Sequence, residues 1–214
     1  YEENSLFYQI DREIGLTSDY RARIKILKSD GTDQANVSIP YTDEYSVRES
    51  VFGIDAVAYN LVDGKIVKTP LKKQYIFTEQ VGENHKLVKF SIPEVREGTV
   101  IEYKFRKTSK NPTYIPSFRF QHDIPVARCH MQALIPEFFK FNLNLKGYIK
   151  VNIEDGSTNG SVGSGSDMIS FNVREIKADA MDIPALKREA YVWCLNDFRS
   201  MLEFELSQLS LIHI

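Results

Sequence analysis

Residues able to do chemistry are sparse in this chain and poorly placed to cooperate. Its 4 histidines, His85, His122, His130 and His213, lie far apart, and no pair has the HExxH or HxH spacing that brings two imidazoles onto one metal ion. Cys129 and His130 combine a nucleophile with a base. Neighbours on a strand point to opposite faces, however, so these two cannot form a dyad with each other. Cys194 follows Trp193 near a predicted loop. Two cysteines are too few for a disulfide framework or a zinc ribbon, and because the distance between them cannot be read from sequence, their pairing stays open. Glu203 and Glu205 share a strand face, as the charges of any solvated face do, and a hydrolase would need a partner from elsewhere. This reading assigns no catalytic residue, no metal ligand and no cofactor. The residues best suited to contact a ligand or partner are Tyr114, Phe118, Phe120 and His122, in the proline-rich loop from Asn111 to Pro125. Such rings can stack on a sugar or enter a partner's pocket. The commoner use of such a cluster is to close the end of a core.

The elements that would hold these residues are strands. In LVKFSIPEVREGTVIEYKFRKT, residues 87–108, Val88, Phe90 and Ile92 alternate with Lys89 and Ser91, and Ile101, Tyr103 and Phe105 alternate with Glu102, Lys104 and Arg106. This reads as a β-hairpin with one dry face. A second hairpin is expected from Ala22, Ile24 and Ile26 through Ser29-Asp30-Gly31 to Ala35, Val37 and Ile39. A third surrounds Asp63-Gly64, a dipeptide suited to a type I′ turn. Tyr41 to Phe52 is open between a short helix and a β-bulge, and Tyr1 to Thr17 between an irregular lead-in and an edge strand.

Further on, Cys129 faces inward on a strand ending at Pro136. Phe139, Phe141, Leu143 and Leu145 mark a nearly ideal strand, and Ile149, Val151 and Ile153 repeat the device. The segment 155–167, DGSTNGSVGSGSD, reads as a long flexible hairpin loop; it lacks the lysine of a phosphate-binding loop. Ile169, Phe171 and Val173 form the strand beyond it. Alternation breaks from Ala178 to Asp197, where Asp182-Ile183-Pro184 suggests a strand exit and one short helical turn, and Leu202, Phe204 and Leu206 mark a last strand. The apolar end, Leu209 to Ile214, suggests that more protein follows.

With 214 residues and 43% hydrophobic content, the chain can bury a real core, as one large β-sandwich or two small domains. A net charge of -2 provides no general pull towards nucleic acid or an anionic membrane. No run of about eighteen apolar residues is present, which excludes a transmembrane helix. The chain begins at Tyr1, so a leader is expected to have been removed before it.

Several stretches taken together resemble a family. AYNLVDGKIVKTPLKKQYIF (58–77), VKFSIPEVREGTVIEYKF (88–105), FQHDIPV (120–126), IPEFFKF (135–141) and, further on, IPALKREAYV and FRSMLEFEL are similar to a bacterial domain of unknown function, of Bacteroidetes type, that lies N-terminal to transglutaminase-like domains. The resemblance spans about Arg21 to Leu206. Ser117-Phe118-Arg119 departs from the family's Asp-Trp-Tyr-like run, which weakens the case for a shared aromatic platform there.

The resemblance implies an all-β, antiparallel β-sandwich with little helix, large and twisted, like the N-terminal β domains of some peptidases. It implies one accessory domain over 1–214, exported to the periplasm, outer membrane or cell exterior. The papain-type catalytic triad would belong to a transglutaminase-like domain downstream, which is the expected partner. Trp193-Cys194 has the reverse of the transglutaminase Cys-Trp order. The expected role is thus non-catalytic, packing against the catalytic module and helping to present a protein or peptide substrate. The alternative is a glycan- or cell-wall-binding module.

Overall fold

Alternating apolar and polar residues fold here into extended strands with one buried face, and strand makes up 65% of the structure against 9% helix. The computed structural model describes residues 1–10, 14–162, 168–187 and 194–209. Its strands are β1 (Glu2–Ile10), β2 (Ile14–Lys25), β3 (Asn36–Thr42), β4 (Glu49–Val62), β5 (Lys65–Pro70), β6 (Ile76–Gln80) and β7 (His85–Ser91). They continue with β8 (Val100–Ser109), β9 (Phe118–Arg119), β10 (Val126–Pro136), β11 (Phe139–Lys146), β12 (Asn152–Val162), β13 (Ile169–Ile183) and β14 (Met201–Leu209). The chain forms two compact units, one of residues 1–17 and 111–214, the other of residues 18–110. Among the described residues the strands make one eight-stranded sheet, whose outer strands are β12 and β5, and two three-stranded sheets, and each unit has its own apolar core between two layers of strands, so the fold is all-β and sandwich-like.

In the 18–110 unit, β8-β4-β5 form one layer, with the Ser18–Lys25 part of β2 beside β8, and β3-β7-β6 form the other. Asp63 and Gly64 close the β4–β5 hairpin with φ of 49° and 73°, as a type I′ turn requires, and Leu61 pairs with Ile66 across it. Of the two alternatives for Tyr41 to Phe52, the short helix occurs, as a 3-10 turn at Tyr45–Val47; a register shift follows outside that stretch, between Phe52 and Asp55. The small residues Ala56 and Ala58 are buried, aligned with Tyr103 and Ile101 of β8, and Phe90 meets Tyr103 edge-on at 6.1 Å.

Two expected hairpins are corrected. Strands β7 and β8 do not pair: β7 lies between β3 and β6, whereas β8 joins β4 in the other sheet. Strands β2 and β3 are divided between sheets in the same way. Alternation decides which side chains face inward, but two strands facing one core across a sandwich carry the same pattern as two strands side by side. Val88, Phe90 and Ile101 are buried, as expected, and Tyr103 and Phe105 are partly buried against the same core. The β7–β8 crossover is anchored by a buried polar pair. Thr99 Oγ1 donates to Asn60 Oδ1 at 2.6 Å, and Asn60 Nδ2 donates to the Glu94 carbonyl at 2.8 Å.

In the other unit, β12-β13-β10-β1 run side by side in one sheet and β11-β14-β9 form the second. The segment from Tyr1 is neither an irregular lead-in nor an edge strand: β1 lies inside its sheet and pairs with β10 in parallel, Glu2 opposite Cys129 through Phe7 opposite Leu134. The expected loop at 155–167 is corrected over 155–162, and its remainder, 163–167, lies outside the described residues. Strand β12 runs through Val162, paired residue for residue with β13. Backbone pairing to a long neighbour holds it, so its few apolar residues were a poor guide. A β-carbon at Gly160 would lie 2.6 Å from the Phe171 ring, so glycine is needed for this close approach. Tyr8 of β1 stacks on Phe139 of β11 at 4.8 Å, joining the two sheets, and Phe141 meets Phe204 edge-on within the second. The strand exit at Ile183 lies where expected, whereas the 3-10 turn, at Leu195–Phe198, comes later in the chain than Asp182-Ile183-Pro184, where a helical turn was expected. Trp193 and the tail beyond Leu209 lie outside the described residues.

Candidate functional site

Among the described residues, the parallel pairing of β1 with β10 assembles a group of side chains that resembles catalytic machinery. Glu2, only 7% exposed, comes beside Cys129, which is fully buried. His122 Nε2 lies 2.6 Å from Glu2 Oε2, and the Cys129 thiol donates to the same oxygen at 3.6 Å. Nucleophile, imidazole and carboxylate are therefore all present, but their order is wrong for nucleophilic catalysis. The carboxylate stands between the other two, and among the described residues no imidazole faces the sulfur to take its proton.

Electrostatics act in the same direction. Burial pushes the Cys129 thiol far above its ordinary pKa, and the adjacent Glu2 charge raises it further. A reactive cysteine needs the opposite setting, with a cation or helix N-terminus that favours the thiolate. The cluster also leaves no room for a metal ion. Ligand bonds of about 2.0 Å to nitrogen and oxygen would hold His122 and Glu2 roughly 3 Å or more apart. Among the described residues, no group of His, Cys, Asp and Glu is arranged to hold a metal.

His130 points away from Cys129, as strand geometry demands. Its Nδ1 lies 3.0 Å from Asp179 Oδ1, and Arg128 reaches the same carboxylate at 3.3 Å. Both cysteines are free thiols, Cys129 buried and Cys194 exposed. His85 lies on β7, where its carbonyl accepts from the Val81 and Gly82 amides. His213 lies outside the described residues.

The four contact residues separate. Phe118 and Phe120 are buried, at 5% and 0% exposure, and meet edge-on with centroids 5.0 Å apart inside the core. Tyr114 is 61% exposed, next to buried Ile115. His122 is tied to Glu2, and its carbonyl accepts from the Leu186 amide at 2.8 Å. A stacking surface on this loop would therefore rest on the ring of Tyr114 alone.

The loop itself is rigidly held. The Tyr8 hydroxyl donates to the Pro112 carbonyl at 2.7 Å, with burial raising its pKa. Asn111 Oδ1 accepts from the Thr113 amide and hydroxyl, and the Phe120 amide donates to the Ser200 carbonyl. Gln121 donates to the Pro184 carbonyl and accepts from the Ser200 amide, while Arg199 donates to the Gln121 carbonyl. Glu2 is the residue that sequence reasoning missed. It is 127 positions from Cys129, and no local pattern announces a parallel pairing over that span.

These observations define a class before they define a family: an all-β domain whose most enzyme-like cluster is wired to keep its thiol protonated and enclosed. The chain belongs to the DUF3857 family, a domain of unknown function with a solved structure, which it matches over residues 15–180. It is also similar in fold to a crystal structure of a candidate protease from Parabacteroides distasonis ATCC 8503. That likeness has a TM-score of 0.65 at 14% identity, covering 96% of this chain and 40% of the other. This chain thus spans about two fifths of the length of that protein. No curated protein matches it.

Proposed function

We propose that this chain is a non-catalytic accessory domain of an exported, multidomain cysteine-protease-like or transglutaminase-like protein. It packs against a catalytic module that follows it and helps to present a protein or peptide substrate. The observation that carries this reading is one of coverage: nearly all of this fold corresponds to less than half of a longer candidate protease. The Glu2–His122–Cys129 arrangement supports it from within, because a thiol buried beside a carboxylate suits a structural role. Export to the periplasm or beyond belongs to the same proposal and follows from the family resemblance.

The packing claim is tested by comparing this chain and its following module, separately and joined, by thermal unfolding. Mutual burial of even about 1 kcal/mol should raise the melting temperature of at least one partner by roughly 2–4 °C in the joined protein. Unchanged transitions for both would remove the packing role.

A further inference from the structure

Sheet edges are where this molecule is defended, with one exception. The outer strand β5 carries Lys65, Lys68 and Pro70; β3 contains Pro40; β11 is bracketed by Lys140 and Lys146. The remaining outer strands β6 and β9 are only 5 and 2 residues long. Proline, lysine and brevity are the ordinary means of preventing an edge from recruiting another strand. Strand β12 has no proline or lysine and is not short, and its charges, Glu154 and Asp155, are confined to its first half. It is 11 residues long and mostly exposed, and it keeps register with β13 from Asn152 to Val162 without a bulge. From Gly156 to Val162, GSTNGSV, it has no charge and no proline. Among the described residues it has β13 on one side and no strand on the other.

We propose that the free edge of β12 is a docking site for an extended polypeptide segment, which adds to the sheet as a further strand. A row of amide and carbonyl groups at strand spacing is recognised by another strand, and main-chain bonds of this kind bind with little regard to sequence. The small side chains of Gly156, Ser157, Gly160 and Ser161 leave space for an incoming chain of any composition. The near absence of apolar side chains separates this edge from a self-assembling one, which needs a dry interface. The site deepens the accessory reading and rests on it for its purpose: an unfolded substrate is the natural occupant of a presenting domain.

The test uses the 214-residue chain and fluorescein-labelled, reduced and carbamidomethylated lysozyme as an unfolded probe, with native lysozyme as control. The expected result is saturable binding of the unfolded probe only, read by anisotropy, with slower hydrogen exchange at alternate amides of 156–162. The double variants S157K/N159K and S157E/N159E should each weaken binding at least tenfold while leaving the melting temperature unchanged. Absence of binding, protection elsewhere, or weakening by only one sign of charge would overturn the proposal, the last because it would indicate simple electrostatics. Protection of 156–162 without probe that grows with protein concentration would overturn it in favour of pairing between copies. This assay does not involve the following module, so it can fail while mutual stabilisation holds, and the reverse.

Discussion

At the scale of single residues, burial and charge decide what each reactive group can do. Cys129 and Cys194 are the same chemical group in two settings, one fully enclosed beside Glu2 and one exposed. Titration with a thiol reagent should consume Cys194 promptly in the native protein and Cys129 only on addition of denaturant. Fast reaction of both would contradict the buried cluster. Glu102 shows the opposite balance. Burial works against its charge, but the bonds from Arg23 and Arg21, at 2.6 and 2.5 Å, outweigh this and hold the carboxyl below its ordinary pKa. A depressed folded-state value contributes stability above the unfolded pKa and loses it as pH falls through the folded one. Glu102→Gln should therefore lower stability at neutral pH and make the decline below about pH 4.5 shallower, as followed by urea unfolding at several pH values. Asp43 and Asp155, held down by Lys86 and Arg174, keep part of that decline in place.

At the scale of elements, close approach and backbone sign matter more than composition. Gly147 has φ +89°, and a β-carbon there would lie 2.2 Å from Ser200 Oγ and 2.5 Å from Ser200 Cα. The Ser200 hydroxyl oxygen also accepts from the Tyr148 amide at 3.2 Å. Gly64 has φ +73° with open space around it. Gly64→Ala should thus cost only the conformational term, about 1 kcal/mol, whereas Gly147→Ala combines that term with a steric clash against backbone and should cost several-fold more. Equal losses in denaturant midpoint would show that the Gly147–Ser200 contact is unimportant. The elements were unequally legible. Asp63-Gly64 announced its hairpin because a type I′ turn demands those residues locally. The partners of β2 and β7 were illegible, because the choice between neighbour and opposite sheet depends on the path of Ser29–Ala35 and Ile92–Thr99 through space.

At the scale of the molecule, the chain builds two apolar cores from segments that sequence order does not group. Residues 1–17 join 111–214, and 18–110 form the inserted unit. Phe90 belongs to the core of residues 18–110 and Phe120 to the other. Truncating Phe90 to alanine should cost about 3–5 kcal/mol and accelerate amide exchange chiefly within 18–110, while Phe120→Ala should act chiefly on the other unit. Equal acceleration throughout both units in both variants would show that they open as one.

By itself the sequence determined the all-β class, the inward faces of Val88, Phe90, Ile101, Cys129 and Phe141, and the Asp63-Gly64 turn, because side-chain alternation and turn stereochemistry are local. It also determined the resemblance to a family, since the motifs stand in order along the chain. Tertiary structure alone decided that Phe118 and Phe120 serve the core, that the Gly/Ser-rich segment extends a strand through Val162, and that Glu2 sits between Cys129 and His122. Each of these depends on which distant strand lies alongside. Backbone hydrogen bonding, which makes that choice, is common to every residue and leaves little trace in the order of side chains.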